Sequence, residues 1–171
     1  MEAMNNLLER RSIRKYQEKQ VSDELLDQVL EAGLYAPTGM NRQNVVMVAV
    51  RDRETRDFLS RMNAAVVGGN GDPFYGAPCV IVVLGDPEIY PVVENGSLVL
   101  GNLMNAAHAV GLGSCWIHRA RQTFETEEGK ALLRKWGLKD TLVGIGNCIL
   151  GYPAENPEPK ARLDGRILKI D

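Results

Sequence analysis

Apolar positions along this chain fall into short unbroken runs and longer helical stripes that alternate, with turn residues between them. Leu25, Leu26, Val29, Leu30 and Leu34 recur at helical spacing behind Ser22, Asp23 and Glu24. Such a start suits a helix, because the serine can cap the first turn and the carboxylates face the positive end of the helix dipole. This helix is expected to end before Pro37. The run NVVMVAV from Asn44 is short and rich in β-branched residues, which predicts a buried strand, and CVIVVLG from Cys79 predicts a second. A polar helix around Glu54 to Met62 and the loop GGNGDPFYGAP separate the two. Between Val92 and Val110, apolar side chains cover more than one helical face, the mark of a central helix packed on several sides. Gly111 and Gly113 close it. SCWI reads as a short strand, TEEGKALLRKW as a surface helix and VGIGNCILGY as a last buried strand. A proline-spaced tail from Pro153 then runs into RILKI, an extended arm.

Buried strands alternating with helices predict an α+β (layered α/β) fold, with residues 1–171 as a single domain. RILKI has too little local structure to pair with itself, so docking on a neighbouring subunit would satisfy its backbone and points to a homodimer. With 44% hydrophobic and 25% charged residues the chain is long enough for one core, and a net charge of −2 provides no global attraction to nucleic acid or anionic membrane. Neither is expected as a partner. No apolar run approaches the roughly 18 residues of a membrane span, and MEAMNNLLERR lacks a basic segment followed by an apolar stretch, so the expected location is cytoplasmic. Cys79, Cys115 and Cys148 lie far apart in apolar segments and read as buried thiols, with neither disulfide nor zinc spacing.

Charge becomes informative locally. Arg10, Arg11, Ser12 and Arg14 near the start are answered by Lys160 and Arg162 near the end. A phosphate is well served by guanidinium forks, a hydroxyl donor and a compact ammonium, and these residues supply all three; solvated surface arginines are the plainer alternative. There is no GxxxxGK[ST] loop and no GxSxG elbow, and GIGNCILG has Ile149 where a dinucleotide fingerprint needs its third glycine. His108 lies in the apolar helix and His118 after SCWI, neither at metal or triad spacing. A chain with no evident acid, base, nucleophile or metal can still be an enzyme when a cofactor carries the chemistry.

ERRSIRKY, APTGMNRQ, DPFYGAPCVIVV, NGSLVLGNLMNAAHAVGLGSCWI, GIGNCILGYP and PKAR, taken in order, resemble the FMN-dependent nitroreductase family over nearly the whole chain, as a compact member. The resemblance implies a central mixed sheet flanked by helices and a C-terminal arm exchanged in a homodimer. It implies that Arg10, Arg11, Ser12 and Arg14 grip the FMN phosphate and ribityl chain, with Lys160 and Arg162 closing the same site. Pro37, Thr38, Gly39, Asn41 and Gln43 would lie against the flavin from the other subunit, and Asn70 would contact it as well. Cys115, Trp116, Ile117 and His118 would run past the ring, contributing by position more than by side-chain reactivity; Trp116 reads equally as core. No side chain is assigned a catalytic proton, and no metal is implied. The implied activity is an oxidoreductase passing hydride from NADH or NADPH through flavin N5 to a nitroaromatic, quinone or flavin acceptor by a ping-pong mechanism. A non-enzymatic FMN-binding redox sensor or store is the alternative, and a dehalogenase or flavin-fragmenting enzyme is a third possibility. The chain departs from common members at Asn44 and Val45, where Pro and Trp are frequent, and at His118 and Arg119, which bears on the acceptor more than on FMN.

Overall fold

The computed structural model of the protein describes residues 2–170. Four strands, β1 (Val45–Val50), β2 (Cys79–Gly85), β3 (Gly113–Ile117) and β4 (Val143–Gly151), form one sheet in the order β1-β2-β4-β3. All three ladders are antiparallel. The expected mixed sheet is therefore antiparallel in its named strands, and its parallel element is a single bridge between Ser12 and Ser114.

Helices cover both faces of the sheet, and this explains why CVIVVLG is apolar at every position. Cys79, Ile81 and Val83 of β2 join Cys148 and Leu150 of β4 under α2 (Asp23–Leu34) and α4 (Val92–Ala109). Val80, Val82 and Leu84 point the other way, with Ile149, Cys115 and Ile117, into a second core under α3 (Arg53–Ala65), α5 (Ala120–Glu125) and α6 (Glu127–Lys135). A strand buried on both faces loses the polar alternation that one exposed face would demand. Gly146 permits this packing on β4: a Cβ there would stand 2.5 Å from the Trp116 indole nitrogen. GIGNCILG thus uses a glycine for close approach inside a sheet and does not form the strand-to-helix turn of a dinucleotide fingerprint.

Ser22 accepts the Leu25 N–H as the expected cap of α2, and Asp52 and Thr126 cap α3 and α6 in the same way. Two helices were not legible in the pattern. α1 (Ala3–Glu9) buries none of its residues and has no side-chain cap, so it carries no amphipathic signal. α5 has only 6 residues and follows Arg119, whose φ of 74° lies in the left-handed region. The three cysteines are free and buried, and burial pushes the Cys79 thiol up to about 12. Beyond Pro153, which bridges to Tyr16, residues 154–170 have no helix or strand, and 160–170 are exposed throughout. No helix among the described residues is long and apolar enough to cross a membrane.

Candidate cofactor site

β3 is an edge strand, and the segment carrying Arg10, Arg11, Ser12 and Arg14 lies along the start of its open side. Ile13 N–H donates to the Ser114 carbonyl at 3.0 Å. A Cβ on Gly113 would meet the Ile13 side chain at 2.9 Å, so the glycine lets the segment close on the strand. Past Ser114 no bridge to this edge is formed among the described residues, so the outward-facing backbone groups of an edge strand remain unpaired by another strand there. The same segment is laced to the end of β4: Gln17 N–H donates to Tyr152, Ala154 N–H to Lys15, and Arg14 N–H to the Glu155 carboxylate at 2.5 Å. The arm bearing Lys160 and Arg162 consequently leaves the body beside Arg14. Both of those residues are exposed, and among the described residues neither forms a side-chain hydrogen bond or salt bridge.

The cationic donors are poorly neutralised. Arg10, Arg11 and Arg14 form no salt bridge among the described residues, and Arg10 Nη1 is enclosed without a hydrogen-bond partner. Arg11 donates to the Leu8 and Arg10 carbonyls. His108, at the end of α4, faces this corner: burial holds its pKa down, Glu9 opposes that, and Arg10 and Arg11 add to it. One enclosed, unpartnered guanidinium donor on Arg10, with the Arg11 and Arg14 guanidinium groups free of ion pairs among the described residues, fits an anionic group such as a mononucleotide phosphate.

The loop holding Asn70 reaches this corner through Tyr75, whose ring lies near the Arg14 guanidinium, and is fixed to α3 by a clasp that the sequence pattern did not reveal. Asp72 accepts from Arg56 Nη2 at 2.7 Å, Ser60 Oγ at 2.5 Å, Phe74 N–H at 2.9 Å and Gly76 N–H at 2.7 Å. Arg56 is itself buried on α3 and also donates to Ala77 and Asp57. Asn70 lies exposed in the loop just before the clasp. Burial raises the Asp72 pKa, but the bonds from Arg56, Ser60, Gly76 and Phe74 outweigh it and leave the carboxyl below its usual value. A depressed folded-state pKa contributes stability that is complete above the unfolded value of about 3.9 and is lost as pH falls through the folded value. Asp72→Asn is therefore expected to lower the unfolding free energy by about 1–3 kcal/mol near neutrality. The deficit should shrink below about pH 4 in paired denaturation curves, and a pH-independent deficit would contradict this account.

Pro37, Thr38, Gly39, Asn41 and Gln43 lie at the opposite end of the sheet. Gly39 N–H donates to Asn95 Oδ1 at 2.9 Å, and Asn95, 1% exposed at the start of α4, donates in turn to Asn44 Oδ1 at 2.8 Å. Thr38 Oγ1 accepts the Gln43 N–H, and Gln43 Nε2 donates to Asn41 Oδ1. Met40, Asn41 and Gln43 have φ of 52°, 54° and 49°, an uncommon run of left-handed residues without glycine. Such strain persists only where surrounding bonds fix it, and it concentrates at functional loops. Asn95, and its pairing with Asn44, are unforeseen here: both side chains are buried, and nothing local in the sequence says that they pair.

Along β3 the side chains divide between the faces. Cys115 and Ile117 lie in the second core, whereas Trp116 packs against the first, so its reading as core holds for the side chain. The Trp116 indole N–H is enclosed without a partner. His118 is exposed, and its carbonyl accepts from Asn63 Nδ2 at 2.7 Å, which ties the end of β3 to α3.

Taken together, these features define an α+β protein with a phosphate-suited cationic corner at an open sheet edge and a strained polar loop at the other end of the same sheet. The chain belongs to the nitroreductase family, whose sequence profile matches residues 7–152. It is 34% identical over 163 residues to an Archaeoglobus fulgidus protein provisionally described as an NADH dehydrogenase/NAD(P)H nitroreductase, covering 92% of this chain and 88% of that one. It is 26% identical over 179 residues to an FMN reductase [NAD(P)H] of Bacillus subtilis, covering 95% and 70% of the two chains. A crystal structure of a Bacteroides fragilis nitroreductase with bound FMN superposes with a TM-score of 0.92 at 27% identity, covering 100% of both chains.

Proposed function

We propose that the protein is an FMN-dependent oxidoreductase that uses NADH or NADPH to reduce a small electron-poor acceptor. The observation that carries this reading is the set of unneutralised guanidinium groups at the open edge of β3, one with an enclosed and unpartnered donor. Family membership and the FMN-bound relative support the same ligand. In this reading Arg10, Arg11, Ser12 and Arg14 hold the phosphate and ribityl chain, and Lys160 and Arg162 close over them. Asn70 and the backbone of residues 115–118 orient the ring. Bound there, FMN would supply the redox chemistry, hydride and electron transfer between the nicotinamide and a nitroaromatic, quinone or flavin in two half-reactions. The protein's part is to orient the reactants and keep competing water away.

The site is shared between two copies of the chain. Loop 37–43 and the Arg10–Arg14 segment lie at opposite ends of the sheet, and β2, with 7 residues, alone spans about 20 Å. β1 and β3 are also the opposite edges of the sheet, and this separation argues against one copy supplying both groups to a single mononucleotide. A second copy closes it, and the wholly exposed arm with Leu163, Ile167, Leu168 and Ile170 has a docking surface in the same assembly. Denaturing the purified protein and identifying the released ligand chromatographically tests the proposal, together with anaerobic mixing with NADH and with NADPH. The expected results are FMN and loss of oxidised-flavin absorbance with at least one nicotinamide. Release of FAD or riboflavin, or failure to reconstitute with FMN, would overturn it.

A further inference from the structure

Tyr75 is a tyrosine held where tyrosine is rarely found. Its φ is 53°, a left-handed conformation costly for a bulky side chain, and it stands inside the turn clasped by Asp72. The clasp binds the N–H groups on both sides of it, at Phe74 and Gly76, and is anchored through Arg56 and Ser60 to α3. A glycine would take this backbone without strain, so the aromatic ring calls for a reason. The ring lies under the Arg14 guanidinium, 5.9 Å from carbon to centroid, and is 45% exposed. Arg14 is otherwise held through its backbone N–H by Glu155, and its guanidinium has no ion pair among the described residues.

We propose that Tyr75 is a positioning residue for Arg14, its ring fixed by the Asp72 clasp so that it restrains the guanidinium over the phosphate site while leaving the guanidinium edge free to bond an anion. The inference rests on the FMN reading above and assigns Tyr75 a role in cofactor affinity. A cation–π contact uses no N–H donor of the guanidinium, so the ring and an anion engage Arg14 at once. A long side chain restrained before binding loses less freedom when the phosphate arrives.

The test is the FMN dissociation constant of the full-length holoprotein, read from the fluorescence of flavin released on dilution, together with the melting temperature. Tyr75→Gly relieves the backbone and removes the ring; it is expected to weaken FMN binding roughly two- to fivefold without lowering the melting temperature. Tyr75→Phe keeps the ring and should bind as the wild type does. In an Arg14→Ala background Tyr75→Gly should have no further effect, because the group that it positions is gone. Unchanged affinity in Tyr75→Gly, an equal loss in Tyr75→Phe, or a full loss that persists without Arg14 would each overturn the positioning role while leaving FMN binding intact. A wild-type protein that binds no FMN would overturn both readings.

Discussion

Arg14→Ala is expected to weaken FMN binding by about ten- to a hundredfold, because a charge-assisted bond to phosphate is worth roughly 1.5–3 kcal/mol. The protein should fold as before. Arg14 is exposed, its backbone N–H to Glu155 survives the substitution, and among the described residues its guanidinium forms no ion pair that the fold would lose. Arg10→Ala should act similarly for a different reason: it deletes an enclosed Nη1 that has no protein partner, so the flavin-free protein gives up no bond there. Titration with FMN, beside thermal melting of the flavin-free variants, separates ligand loss from unfolding. Wild-type affinity in both variants would place the phosphate elsewhere.

Refolding Arg14→Ala and Asn41→Ala chains together is expected to give more activity than the mean of the two variants refolded separately. Arg14 lies beside the start of β3, and Asn41 lies in the loop at the far end of the sheet, pinned through Gly39 to Asn95. If each site takes its phosphate ligands from one copy and its covering loop from the other, one site of a mixed dimer collects both lesions and the other none. Random exchange makes half of the dimers mixed and half of their sites intact, so about one quarter of all sites should recover. The readout is NAD(P)H-dependent reduction of a nitroaromatic or quinone after confirmed exchange. An active monomer, or no recovery despite exchange, would rule out the shared site.

The elements most legible in the sequence were those whose environment is uniform along their length. CVIVVLG marks β2 to the residue because both faces are covered, and Ser22 marks the start of α2 because a cap is a local device. The mixed sheet was an expectation from resemblance; ladder direction depends on partners distant in the chain, and these strands pair antiparallel. α1 left no trace because it buries nothing. For the site, a split set of cations was visible at once, since charge and hydroxyl chemistry belong to the residues themselves.

By itself, then, the sequence determined the alternation of strands and helices, the buried thiols and a phosphate-suited set of side chains, all properties of composition and short-range spacing. Only the tertiary structure decided which of those side chains share a corner. It set Ser12 beside Ser114 and Arg14 beside Glu155 and Tyr75, closed Asp72 on Arg56 and Ser60, paired Asn95 with Asn44, and set loop 37–43 at the opposite end of the sheet from the arginines. Those contacts join residues many positions apart, through hydrogen bonds whose partners only the folded topology brings within reach.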